Sequence, residues 1–386
     1  MGVLVYIPSF DRMRVLIAPD KFKGSLDATK VCEAMEEALR ESGKPIQSRS
    51  IPMADGGEGT CDMLTKFSGG RKIKVSALDP FFRKIEGEFG ISGDGKKAFV
   101  EMANVSGLQL LKAEERNALL GTTYGTGQLI AAALDQGVDS IIMGVGGSAT
   151  NDAGIGMGEA LGAKFYDAAG NPLKPIGQSL KSIQVIDIKN LHRRINEVFV
   201  TAICDVSNPL FGINGAAHVF GPQKGASPEV VDFLDQGLIN FATVVKRQLG
   251  LDINFPGAGA GGGLGGGAKI FFKIKFQSGI NFIIDFIGLE KLVQQSDLII
   301  TGEGKMDEQT LSGKVVKGVA DLSRKYHKPL VVVVGKNELP PEKTNFLGVH
   351  KVVPLLDGKT SESEAFAATY SLIKKRLKDE VIPFFL

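Results

Sequence analysis

The sequence predicts an α/β protein with a doubly wound parallel sheet and a second, α+β domain interleaved with it. Three observations lead there. Short apolar runs alternate with segments of helical period. Two of those runs, LIIT and VVVV, are continuously apolar, as parallel strands buried on both faces are. The chain, at 386 residues, is too long for one compact core.

The elements follow in order. RVLIA (Arg14 to Ala18) is a strand, and Val31, Met35, Ala38 and Leu39 repeat at helical spacing behind it. SRSIPM is the next strand, followed by a helix through Met63 and Leu64. GTGQLIAAALDQG reads as a helix with a glycine stop, leading into the strand SIIMGV. Near the C-terminus, DLIIT, a helix over Val315 to Tyr326, PLVVVVG, HKVVPLL and a last helix from Ser361 to Lys378 complete the alternation. Residues 13–69, 121–160 and 290–386 are assigned to the doubly wound domain. Residues 70–120 and 161–289, with alternating strands such as KIKVSALD and KIEGEFGI, form the inserted domain. Residues 1–12 precede the first good strand and are read as an extension. The run PGAGAGGGLGGGAK is either a linker or a backbone-lined loop at a helix start.

Composition excludes several classes. A formal charge of +2, with no block of Lys or Arg, argues against a nucleic-acid binder. The most apolar stretch, INFIIDFIGL, is short and broken by Asp285, which argues against a membrane span. MGVLVYIPSF lacks the basic flank and cleavage site of a signal peptide. Cys32, Cys61 and Cys204 form no pairing framework and fit a reducing cytoplasm. A homodimer is compatible with the sequence.

The unusual residues share one position, just past the carboxyl end of an apolar run, where open α/β sheets bind ligands. TGEGKMDEQTLSGK, Thr301 to Lys314, resembles a phosphate loop only superficially. Gly313-Lys314 is followed by Val315, and Glu303, Asp307 and Glu308 would repel a bare phosphate. GVGGSATNDAG offers backbone N–H groups at Gly146 and Gly147, with Ser148, Thr150 and Asn151 as polar side chains. That suits a phosphate chain, or a tight turn capping a helix. Asp55, Asp152, Glu303 and Asp307 are oxygen donors of the kind Mg²⁺ takes while bridging phosphates. Lys21, Lys23 and Lys305 can offset anionic oxygens. Carboxylates, lysines and glycines together make sense for a magnesium–phosphate complex. Asp205 closes the strand FVTAIC, either to accept a proton from a substrate hydroxyl or to open an Asx-type turn before Pro209.

APDKFKGSL, IPMADGGEGT, TTYGTG, GVGGSATNDAGIGM, CDVSNPLFG, FGPQKGA, GAGAGGGLGGG and TGEGKMDEQTLSGK, in this order, resemble the two-domain bacterial glycerate kinases. The resemblance runs from about Met13 to the C-terminus. It implies a flavodoxin-like domain with an interleaved partner, and ATP- and Mg²⁺-dependent phosphorylation of D-glycerate in the cytoplasm, in a cleft between the domains, with 2-phosphoglycerate as product. Asp205 is then expected as general base, with Asp20 the alternative base, and Lys21 as the neutralising cation. Lys23, Ser25, Asp55, Gly56, Gly57 and Asn208 are expected at the substrate, and Asp152, Glu303 and Asp307 at the metal. Gly146, Gly147, Ser148, Thr150 and Asn151 are expected at the nucleotide.

Two other classes compete. Gly144, Gly146 and Ala149 satisfy G-x-G-x-x-A, with Asp167 about twenty residues on, as in an NAD-dependent oxidoreductase. The following helix would carry Gly154, Gly156 and Gly158, each costing about 1 kcal/mol against alanine. A non-catalytic sugar-acid binding protein would not need so many carboxylates around a phosphate cradle.

Overall fold

The computed structural model describes residues 12–54, 56–356 and 361–386. The extension at residues 1–12 lies outside the described residues except for Arg12. The strands are β1 Met13–Ile17, β2 Ile46–Ser50, β3 Arg71–Leu78, β4 Lys84–Ile91, β5 Lys97–Glu101, β6 Ser140–Gly144 and β7 Lys164–Tyr166. They continue with β8 Val185–Asp187, β9 Phe199–Ile203, β10 Lys273–Gln277, β11 Leu298–Met306, β12 Leu330–Asn337 and β13 Lys351–Pro354. The chain divides into two compact units, Met1–Asp55 with Ile280–Leu386, and Gly56–Gly279.

In the first unit the described residues form a parallel sheet in the order β2-β1-β11-β12-β13. Counted along this unit, that is 2-1-3-4-5, the flavodoxin-like order, whose ligand-binding crevice opens between β1 and the third strand. Val15, Ile17, Leu298, Ile300, Val331 and Val333 pack with Val31, Met35 and Ala38 of the helix Ala28–Glu41 and Ile373 of the helix Thr369–Arg376. Their strand neighbours Leu16, Ile299, Val332 and Val334 are also buried, so both faces are covered. Asp27 caps the helix Ala28–Glu41 by accepting from Lys30 N.

The second unit has a sheet in the order β10-β9-β6-β5-β4-β3. β10, β9, β6 and β5 are parallel; β4 and β3 are antiparallel. This corrects the expected boundaries. Residues 121–160 do not join the doubly wound sheet, because β6 pairs with β5 and β9. Residues 56–69 also belong to the second unit, and 280–289 to the first, so the second unit is one continuous insertion. SIIMG is apolar on both faces, and that pattern would suit a central position in either sheet.

The glycine run at 256–267 is not a linker. It packs into the interior and leads to the helix Leu264–Phe271. A Cβ on Gly262 would lie 1.9 Å from the carbonyl oxygen of Thr150, and one on Gly267 would lie 1.8 Å from that of Ala153. The glycines let one backbone lie directly on another.

Gly267→Ala should therefore lose stability although it lies in a helix. The gain in helix propensity is about 1 kcal/mol, and forcing a methyl against a fixed carbonyl costs about 1–3 kcal/mol or more. The expected result is a lower urea midpoint at an unchanged m-value.

Candidate active-site residues at two sheet edges

The first group forms at the switch point of the first unit. The β1–β11 ladder continues past β1, with Ala18 N donating to Ile300 O (2.8 Å) and Asp20 N to Gly302 O (2.8 Å). Thr301 Oγ1 donates to Ala18 O at 2.7 Å. Gly302 to Met306 was expected just past the strand LIIT but continues it. Its glycines serve close approach: a Cβ on Gly302 would lie 2.2 Å from Val333 O, and one on Gly304 3.1 Å from Lys23 N.

This register sets Glu303 near Asp20. Glu303 is 7% exposed, and its Oε1 accepts from Thr310 Oγ1 at 2.7 Å. Burial pushes its carboxyl up to about 7, with the negative charges of Asp20 and Asp307 adding and the Thr310 bond and Lys314 opposing. Asp20 Oδ1 accepts from Lys21 N at 2.7 Å, and Lys21 is half-buried while Lys23 is exposed.

Other expected members have local duties. Asp307 Oδ1 accepts from Gln309 N (2.9 Å), and its Oδ2 is 3.5 Å from Lys305 Nζ, so it closes a turn. Lys305 also pairs with Glu338 at 2.8 Å. The Ser25 hydroxyl lies 2.6 Å from Thr369 Oγ1 and 3.0 Å from Phe366 O, which ties it to the C-terminal helices rather than to a ligand.

The second group lies at the carboxyl edge of the second unit's sheet. Gly144 of β6 pairs in register with Ile203 of β9, so Gly146 and Asp205 stand level just beyond it. Asp205 is exposed, and its Oδ1 accepts from Gly279 N at 2.9 Å. A Cβ on Gly56 would lie 2.3 Å from Ile203 Cγ2, and Gly57 Cα lies 4.0 Å from where a Gly146 Cβ would be. Gly56, Gly57, Gly146 and Asp205 thus share this edge. Asp55 lies outside the described residues. Asn208 Nδ2 donates to Asn214 O at 2.8 Å, which engages it within its own loop.

The GGSATND loop is anchored by Leu108 N donating to Gly147 O and Ala149 N to Ser106 O, each 2.9 Å. Gly146 and Gly147 are exposed, and Gly147 takes φ +71°. Ser148 is nearly buried, while Thr150 and Asn151 are fully buried. Among the described residues, Thr150 Oγ1 and both amide atoms of Asn151 have no hydrogen-bond partner. The exposed backbone of Gly146 and Gly147 is therefore open to a phosphate, whereas Ser148, Thr150 and Asn151 are buried beside it.

Asp152 is a correction. It is fully buried and accepts from Thr123 N (2.7 Å), Thr123 Oγ1 (2.8 Å), Gly154 N (3.1 Å) and Gly156 N (3.2 Å). Four donors occupy its oxygens, so it fastens the loop instead of holding a metal. It also takes amides at the start of the short helix Ile155–Ala160, which would otherwise serve an anion. Among the described residues no cluster of three or more His, Cys, Asp or Glu suits a metal ion. Mg²⁺ bound with phosphates needs only one or two carboxylates, and Glu303 with Asp20 offers such a pair.

Sequence reasoning missed Lys224. It sits in the turn Pro222–Lys224, is 1% exposed, and donates from Nζ to Ser148 Oγ (2.9 Å) and Thr150 O (2.6 Å). Burial pulls its ammonium down to about 7, with Asp152 opposing. A lysine between glycines, in GPQKGA, was the available signal.

The dinucleotide pattern also fails. β7 pairs antiparallel with β8 in a separate small sheet, not beside β6. Asp167 caps a turn by accepting from Ala169 N and Asn171 N.

The profile of the glycerate kinase family matches residues 15–382. The chain is 42% identical to the glycerate 2-kinase of Escherichia coli strain K12, covering 94% of this chain and 95% of that one. It is 40% identical to the glycerate kinase of Bacillus cereus, covering 95% and 97%. A crystal structure described as a glycerate kinase 2 from Salmonella typhimurium LT2 superposes with a TM-score of 0.84 at 38% identity, over 95% of this chain and 96% of that one.

Glu303 makes stability depend on pH. Its folded-state pKa of about 7 exceeds its ordinary 4.5, so the folded state binds more protons between those values. Stability contributed by this carboxyl is therefore lost as pH rises from about 4.5 through 7. In chelator and without nucleotide, Glu303→Gln should be more stable than the parent above pH 7 by about 1–3 kcal/mol. The two should converge near pH 4.5; parallel urea midpoints across pH 5–8 would contradict the buried carboxyl.

Proposed function

The chain belongs to the glycerate kinase family, and from that premise we propose that it transfers the γ-phosphoryl group of ATP to the 2-hydroxyl of D-glycerate with Mg²⁺, in the cytoplasm. The kinase activity toward glycerate follows from the family and leaves no place for the oxidoreductase or for a purely binding role. The observation that carries the nucleotide reading is the exposed Gly146–Gly147 backbone at the carboxyl edge of β6, level with the exposed carboxylate of Asp205. The name of the Escherichia coli relative, a glycerate 2-kinase, supports the choice of hydroxyl.

In this reading the N–H groups of the Gly146–Gly147 loop face phosphate oxygens, and the missing side chains allow close approach. Asp205 accepts the proton from the reacting hydroxyl, with Asp20 as the alternative base. Lys21 and Lys23 supply positive charge for the glycerate carboxylate or the transferred group. Glu303 and Asp20 would hold Mg²⁺, since a dry carboxyl whose neighbour's charge raises its pKa further gains most from a cation. The ion, when bound, supplies charge neutralisation at the β- and γ-oxygens. The transition state is loose, so the base contributes about 10²- to 10⁴-fold and positioning contributes more.

Three outcomes are expected. Asp205→Asn should lower kcat by about 10²-fold or more with little change in the KM for glycerate; near-normal turnover there would remove Asp205 as the base. Gly147→Val should raise the KM for ATP by about tenfold or more while sparing that for glycerate, because a side chain blocks the backbone cradle. A coupled ADP-release assay with D-glycerate, followed by identification of the product by NMR, should give 2-phosphoglycerate; 3-phosphoglycerate would overturn the regiochemistry.

A further inference from the structure

Lys224 is an ionisable group in a place where a charge is expensive. It is 1% exposed, and both of its hydrogen bonds go to the GGSATND loop, to Ser148 Oγ and to the backbone oxygen of Thr150. Among the described residues no carboxylate lies within ion-pair distance of it. Asp152, the nearest candidate, already accepts from Thr123, Gly154 and Gly156. A buried ammonium with neutral partners only would be replaced at little cost by an apolar side chain if packing were its purpose.

The direction of the Ser148 bond is informative. Nζ carries no lone pair when charged, so Ser148 Oγ is the acceptor. The hydroxyl's own proton is then left for another acceptor, and among the described residues it has none. Ser148 keeps 7% of its surface, next to the exposed Gly146 and Gly147. Its free O–H thus adjoins the exposed glycine backbone where a phosphate is read to bind. A hydroxyl that accepts from a cation is a stronger donor itself.

We propose that Lys224 is a positioning residue that acts through Ser148. It fixes the hydroxyl with its proton outward, strengthens it as a donor to a phosphate oxygen of ATP, and places a compensating positive charge beneath the cradle. This rests on the phosphate reading of the loop and names the residue behind it.

The test uses the full-length enzyme with MgATP and adenosine as probes, by calorimetry, and steady-state kinetics with glycerate. Ser148→Ala and Lys224→Met should each weaken MgATP binding about 10- to 100-fold. Adenosine affinity and the KM for glycerate should not change. Because the lysine works through the serine, the double variant should bind MgATP no more weakly than Lys224→Met alone. A general loosening of the fold would instead weaken adenosine and glycerate as well, and that result would overturn the proposal. Ser148→Ala removes a single oxygen atom, so it serves if Lys224→Met does not fold; unchanged MgATP affinity in it also overturns the proposal. Gly147→Val separates the two levels. If it spares MgATP binding, the cradle reading itself fails; if it weakens binding while Ser148→Ala does not, only the relay fails.

Discussion

The second unit's candidate site depends on one buried carboxylate. Asp152 gathers the N–H and hydroxyl of Thr123 and two amides of the following turn onto its two oxygens. Burial raises its pKa and those four bonds oppose the shift. A fully buried carboxyl is tolerable there because four donors point at its oxygens. Thr123 Oγ1 also accepts from Met157 N at 2.9 Å, so the same knot reaches the short helix. The same knot adjoins the segment Gly146–Asn151 through Asp152 itself.

Backbone contact without side chains is the second constraint. Gly262 and Gly267 lie against the carbonyls of Thr150 and Ala153, and Gly156 would place a Cβ 2.3 Å from Thr122 Oγ1. These positions enclose the loop from beneath, while Gly146 and Gly147 leave its outer side open. In the first unit Gly302 and Gly304 do similar work, bringing β11 against Val333 and the Phe22–Lys23 segment. Many of the 49 glycines therefore serve packing, and only a few are available to a ligand.

Each unit also keeps a buried ionisable group that burial pushes toward its neutral form. Glu303 is a carboxyl pushed up by burial and by neighbouring acids, and Lys224 is an ammonium pulled down by burial. A fold pays for such groups in stability, and perturbed groups of this kind concentrate where chemistry is done.

The sequence by itself determined the class of fold and the places where chemistry gathers. Apolar runs such as RVLIA, LIIT and VVVV are strands because short runs rich in β-branched apolar residues suit a sheet buried on both faces, and the residues beyond them stand at a carboxyl edge whatever the topology. The ordered motifs also carried the resemblance to the glycerate kinases that the family profile bears out. Tertiary structure decided the rest. SIIMG could join either sheet, because strand pairing is made of backbone hydrogen bonds that all sequences share, and only its contacts with β5 and β9 place it. Asp152 and Glu303 look alike as acids beside glycines, yet one is fully hydrogen-bonded inside and the other has a single hydroxyl partner among the described residues. Nothing in the sequence singled out Lys224 as buried. Burial sums contributions from segments far apart in the chain, and for Lys224 those partners lie 76 and 74 residues away.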